Sequence, residues 1–90
     1  MNKSEIITKL KYIINNSNKL NLFELYRISI SPNYIKEIVP MKIYNNYLNE
    51  LNCVNYESFL GDGLYDEDIK NDYIFAIKEI LKYLNTYEDI

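Results

Sequence analysis

Histidine is absent from this chain, cysteine occurs once (Cys53), arginine once (Arg27) and alanine once (Ala76). Without histidine the commonest general base and one of the commonest metal ligands are missing. A single cysteine excludes an internal disulfide and fits a reducing compartment. Cys53 lies between Asn52 and Val54, with Asn55 beyond, so no base or cationic neighbour is at hand to make a nucleophile of it. A partly buried structural thiol is expected. Arg27 has the fork geometry to clamp a carboxylate, but an ion pair with Glu24 or with the acidic segment described below is the simpler expectation.

No apolar run approaches the length of a membrane span. The first ten residues, MNKSEIITKL, begin basic and then turn amphipathic, without the apolar core and small-residue cleavage site of a secretory signal. A cytoplasmic protein is expected. Only two glycines and two prolines interrupt the chain, so its turns are few and easily placed.

The 90 residues suffice for one domain with a modest core, residues 1–90, and 48% hydrophobic content with 26% charged is an ordinary globular balance. The ten tyrosines accompany abundant Asn, Ile and Lys. An A+T-rich bacterial or phage gene accounts for that bias as well as function does.

Helical spacing dominates. Ile6, Ile7, Leu10, Ile13 and Ile14 predict an amphipathic helix over 3–15, capped by Asn2 or Ser4 and stopped by the Asn15–Asn18 polar cluster. Leu22, Leu25 and Tyr26 predict a short second helix, with Asn21 and Glu24 spaced as a capping box. Ser31-Pro32 reads as a fresh start leading through Ile35, Ile38 and Val39, and Pro40 then forces a break. Ile43, Tyr44, Tyr47, Leu48 and Leu51 predict a third major helix that frays near Asn52 or continues toward Phe59. Gly61-Asp62-Gly63 is the clearest turn. From Asp66 a long closing helix carries Ile69, Tyr73, Ala76, Ile77, Ile80 and Leu84, with residues 87–90 frayed. The fold class is therefore all-α, an antiparallel bundle of about four main helices with one extra short helix, and a small sheet near Ile28–Ile30 is the principal competing possibility.

Charge is unevenly distributed. Residues 56–73, YESFLGDGLYDEDIKNDY, hold six carboxylates against one lysine. Seven basic and four acidic residues precede this stretch, and two basic and three acidic follow it, so the formal net charge of −3 originates here. Such a segment attracts a basic partner. Glu67 and Asp68 also sit where carboxylates oppose the positive end of a helix dipole, so capping explains part of the acid.

Paired-carboxylate catalysis needs one environment that raises a pKa and another that keeps its partner ionised, and nothing in the sequence supplies that asymmetry. A solvated surface is expected instead, and no catalytic residue is assigned. DGLYDEDIKNDY lacks the alternating oxygen ligands, sixth-position glycine and terminal glutamate of a calcium loop. Neither metal nor cofactor is expected. The lysines are dispersed, so direct nucleic-acid binding is not indicated. Acids interleaved with Tyr56, Phe59, Tyr65 and Tyr73 suit a protein that plugs a nuclease, with carboxylates in place of phosphates and aromatics where bases would stack. The plainer alternative packs Tyr73 in the core and leaves the acids to solubilise.

Two stretches, YIINNSNKLNLFELYRI (Tyr12 to Ile28) and LYDEDIKNDYIFAIKEILKYL (Leu64 to Leu84), resemble the immunity proteins of colicin D type, small helical inhibitors of tRNA-cleaving bacterial toxins. They cover a little over two fifths of the chain, and Ser29 to Gly63 departs from the pattern. The resemblance implies that Asp62, Asp66, Glu67, Asp68 and Asp72 face a positively charged nuclease cleft. The expected partner surface comprises Tyr56, Glu57, Phe59, Asp62, Tyr65, Asp66, Glu67, Asp68 and Asp72. The expected function is non-enzymatic immunity against a colicin-like or contact-delivered nuclease toxin, as a monomer or one-to-one complex, without nucleic acid or membrane. The alternatives are a regulatory or phage-encoded helical adaptor that binds a protein through an apolar face, and a homodimer using Tyr44 and Tyr47 as an exposed patch.

Overall fold

A computed structural model describes residues 1–84, so the expected fraying of 87–90 lies outside the described residues. The architecture is all-α, with α1 (Lys3–Asn16), a 3-10 turn (Ser17–Lys19), α2 (Leu22–Ile28), α3 (Pro32–Lys36), α4 (Met41–Leu60) and α5 (Asp66–Tyr83). Among the described residues there is no strand.

Both expected capping boxes form. The Asn2 side chain accepts from the Glu5 N–H at 2.8 Å while the Glu5 carboxylate accepts from the Asn2 N–H, and Asn21 and Glu24 repeat the arrangement on α2. Each pair satisfies two N–H groups that a helix start leaves without partners. Ser31 occupies the cap position of α3, with Pro32 at its first position, but its hydroxyl caps nothing. The Tyr34 N–H already bonds the Ser31 carbonyl at 3.1 Å, so a tight turn replaces the side-chain cap. α3 ends at Lys36, short of Ile38 and Val39, because Pro40 excludes helical geometry at the residue before it.

α4 is the organising element. Its 20 residues span about 30 Å at about 1.5 Å per residue, most of the molecule's 36 Å length, and it does not fray at Asn52. α2, α3 and α5 all pack on it, and α1 closes the bundle against α5. α4 and α5 run antiparallel: Tyr56 shares a recess with Tyr65 and Ile69, Glu50 senses the charge of Asp72, and Asn46 shares a recess with Phe75 and Glu79. The core contains Ile6, Leu10 and Ile13 of α1, Leu25 of α2, Ile35 of α3, Val54 of α4 and Ile77, Ile80 and Leu81 of α5, all essentially inaccessible.

Two tyrosines belong to that core. Tyr47 and Tyr73 are fully buried, with ring centroids 6.2 Å apart. The Tyr47 hydroxyl donates to the Ile30 carbonyl at 2.6 Å, and the Ser29 hydroxyl donates to the Leu25 carbonyl at 2.6 Å. Ser29 has only one hydroxyl proton, so Tyr73, 2.5 Å away, is the donor to Ser29. Where a small sheet was the competing possibility, α2 ends at Ile28 and a short linker follows, in which the Ile30 carbonyl is bonded by the Tyr47 hydroxyl rather than by a neighbouring strand. Tyr47 at the centre of the molecule also removes the exposed Tyr44–Tyr47 patch on which the homodimer alternative rested, since only Tyr44 reaches solvent.

Candidate protein-docking surface

The last turns of α4, the loop 61–65 and the first turns of α5 form one end of the molecule, joined there by the start of α2, and the acidic stretch supplies most of it. The two glycines shape it for different reasons. Gly63 adopts φ 87°, the left-handed region where a side chain is strained. Gly61 has an ordinary φ of −76°, but a Cβ there would overlap the Glu57 carboxylate and lie 2.7 Å from the Glu57 carbonyl oxygen. The Glu57 side chain is therefore folded back over the end of α4. Asp62 accepts from the Leu64 N–H at 3.1 Å, which holds the loop before α5 begins.

Apolar side chains at this end are strongly exposed: Tyr56 is 60% accessible, Phe59 66%, Leu60 71%, Leu64 76% and Tyr65 62%. These five side chains fall within residues 56–65 and leave this end of the bundle with much exposed apolar surface. Phe59 is braced from α2, its ring edge-on to Phe23 at 6.0 Å, and the Arg27 guanidinium lies 5.8 Å over Phe23. Arg27 is thus engaged with an aromatic face, and among the described residues it forms neither of the ion pairs expected for it. Phe23, Leu60 and Leu64 extend the surface beyond the residues expected from sequence. The signal for the leucines was their position flanking the two glycines, and nothing local pointed to Phe23.

The nine expected residues do not form one patch. Tyr56, Glu57 and Tyr65 line a recess between α4 and α5, about 570 Å³ in volume, with Asn52, Cys53 and Ile69. Glu57 and Asp66 line a smaller recess of about 300 Å³ beside Phe23, Gly61 and Gly63. Asp66 lies seven and eleven residues before Tyr73 and Ile77, on the stripe of α5 that faces the core. Its carboxylate is accordingly half-buried, with Oδ1 inaccessible and lacking a hydrogen-bond partner among the described residues. Asp68 and Asp72, four residues apart, share an exposed face with Tyr65, while Glu67 points about 100° away from Asp68. Tyr73 is in the core, so the surface role considered for it is excluded.

Cys53 is exposed, contrary to the partly buried position expected, because it lies on the outer stripe of α4 and not the Tyr47–Leu51–Val54 face. Lost hydration against the recess raises its thiol pKa, and the carboxylates of Glu50, Glu57 and Asp72 add to the rise. Such a thiol stays protonated near neutral pH and is a poor nucleophile. Partial burial, followed by the charge of Asp72, likewise raises the Glu50 carboxyl above its ordinary value. Among the described residues no group of three or more Cys, Asp or Glu side chains is placed to hold a metal ion, and no helix is long and apolar enough to cross a membrane. Neither a protein-family model nor a curated protein nor a solved structure matches this chain.

Proposed function

We propose that this protein is a non-enzymatic inhibitor, an immunity protein that binds a bacterial nuclease toxin and blocks its basic RNA-binding cleft. One observation carries the reading: exposed Tyr56, Phe59, Leu60, Leu64 and Tyr65 stand among Glu57, Asp62, Glu67 and Asp68 at one end of a small helical bundle, with Asp72 further along α5. Aromatic and aliphatic anchors contribute affinity by desolvation at an interface centre, and surrounding carboxylates steer a cationic partner and fix its orientation. The resemblance of Tyr12–Ile28 and Leu64–Leu84 to immunity proteins of colicin D type supports the same reading.

The test is to purify this protein with the toxic domain encoded beside it and to measure tRNA cleavage with and without a stoichiometric amount of it. Abolished cleavage with a stable one-to-one complex is the expected result. A second reading, a helical adaptor for a regulatory protein, is favoured by the exposure of Leu60 and Leu64, which carry no charge complementarity. Salt separates the two, since a nuclease complex associates more slowly as ionic strength rises and an apolar adaptor complex does not.

A further inference from the structure

Asp62 is the only carboxylate or amide side chain in the sequence that is followed directly by glycine. It folds forward along the chain, its Oδ1 accepting from the Leu64 N–H at 3.1 Å. That hydrogen bond closes a small ring containing both the Asp62 Cγ and the Gly63 backbone nitrogen, so the two atoms are kept close and a bond between them costs less entropy. The nitrogen is unshielded. Among the described residues the Gly63 N–H donates to no backbone carbonyl. A Cβ placed on Gly63 would meet nothing nearer than Asp66 Oδ2 at 4.0 Å, so the space beside the nitrogen is open. Both residues are exposed and belong to the loop between α4 and α5. Asp68 and Asp72 differ in every respect: they lie within α5, and the residues after them, Ile69 and Tyr73, carry bulky side chains and N–H groups engaged in the helix.

We propose that the Asp62-Gly63 peptide is a site of covalent self-modification, at which aspartate isomerises to isoaspartate. The Gly63 nitrogen attacks Asp62 Cγ and gives up its proton to solvent; the N–Cγ bond forms, the Cγ–OH bond breaks, and a water molecule leaves behind a cyclic imide. Water then adds to either imide carbonyl. Opening at Cγ restores aspartate, whereas opening at the former main-chain carbonyl leaves the backbone running through Cβ and Cγ. The sequence of steps consumes and returns water only, with no oxidant, reductant or cofactor. In the isoaspartyl form the loop gains a methylene in its backbone and the carboxylate sits directly on Cα, so the bond to the Leu64 N–H is lost and the exposed Leu64 and Tyr65 shift with it. The modification concerns this chain alone and does not depend on the inhibitory reading.

The experiment incubates the folded protein in heavy-oxygen water at neutral pH, with circular dichroism confirming that the helices persist, and follows proteolytic fragments by mass spectrometry. Each passage through the imide leaves one heavy oxygen in the residue, and electron-transfer fragmentation distinguishes isoaspartate from aspartate at a named position. Label and isoaspartate are expected at Asp62, with neither at Asp68 or Asp72. The free peptide Leu60 to Asp66 sets the time scale. The variant Asp62→Asn should reach the same isoaspartyl product sooner, because ammonia leaves an amide more readily than water leaves a carboxyl group. Three results would each overturn the proposal: an unlabelled Asp62 in the folded protein after the peptide has converted, equal conversion at Asp68 or Asp72, or an Asp62→Asn chain that keeps its amide. No toxin takes part, so this measurement and the inhibition assay stand or fall separately.

Discussion

The hydroxyl of Tyr73, near the middle of α5, donates to the hydroxyl of Ser29, which in turn donates to the Leu25 carbonyl at the end of α2. A residue 44 positions along the chain thereby completes the C-terminus of a seven-residue helix. Tyr47 does the same for the adjoining linker through the Ile30 carbonyl.

These two tyrosines should therefore differ when each loses its hydroxyl. Tyr47→Phe strands a buried carbonyl and should cost about 1–3 kcal/mol. Tyr73→Phe leaves Ser29 still bonded to Leu25 and should cost about 0.5–1.5 kcal/mol. Urea unfolding of both variants, with m unchanged, measures the difference.

Alkaline pH should unfold the protein through the same pair. Burial first, and then the neighbouring Tyr73, holds the Tyr47 pKa far above its ordinary value, and burial also raises Tyr73. Because the folded values lie above the unfolded one, their contribution is complete below about pH 10 and is lost as pH rises toward the folded values. Stability should fall by up to about 1.4 kcal/mol per pH unit for each tyrosine. Tyrosinate absorbance should show a step corresponding to two of the ten tyrosines, coincident with loss of helical circular dichroism.

Glu50→Gln should stabilise the fold slightly at pH 7, since it removes the repulsion from Asp72 and a partly buried charge, both largely screened by solvent at this partly exposed position. The folded pKa of Glu50 is raised, so its carboxyl favours the fold most when protonated and loses that advantage as pH rises through the folded value. The gain from Gln should accordingly vanish below about pH 4. Thermal unfolding at the two pH values is the check, and alkylation of Cys53 should become faster in the variant as one carboxylate leaves its surroundings.

The two glycines should respond differently to the same replacement. Gly63→Asn retains access to the left-handed region and should cost less than Gly63→Ala, which carries a strain of about 1–2 kcal/mol. Asn offers no such relief at Gly61, where any Cβ meets the Glu57 carbonyl. Gly61→Ala should also displace the Glu57 side chain, visible as amide shift changes at Cys53 and Tyr56, its neighbours in the recess.

If the proposed nuclease domain is the partner, reversal of Asp66, Glu67 and Asp68 to lysine should slow association with it, most at low salt. Because these acids occupy the first turn of α5, the variant should also lose about 1–3 kcal/mol of stability from the helix dipole. Stopped-flow association at two ionic strengths, corrected by the urea midpoint, separates the effects. An unchanged association rate would remove this turn from the interface.

Local signals accounted for most of the helix boundaries. Asn2 with Glu5, Asn21 with Glu24, Pro32, Pro40 and the two glycines each act within a few residues of themselves, so spacing alone reveals them. The fate of the aromatics was less legible. Tyr47 and Tyr73 carry polar groups, and only partners 17 and 44 residues away in sequence explain their burial. Cys53 is exposed where partial burial was expected, because exposure depends on where a helix stripe meets its neighbour. The acidic segment was visible as charge, but its division between a recess and an outer face follows from the rotation of α5, which composition does not encode.

The antiparallel return of α4 into α5 has a consequence for how such a surface changes over generations. Except for Phe23, every exposed residue assigned to it comes from one uninterrupted stretch of chain, and the bundle is anchored elsewhere. A single recombination event spanning residues 56–72 could replace the whole proposed recognition face at once while leaving Ser29, Tyr47 and Tyr73, and with them the hydroxyl network that joins α2 to α4 and α5, in place. New partner preference would then arise by exchange of a cassette, with the remainder of the chain inherited as a constant frame.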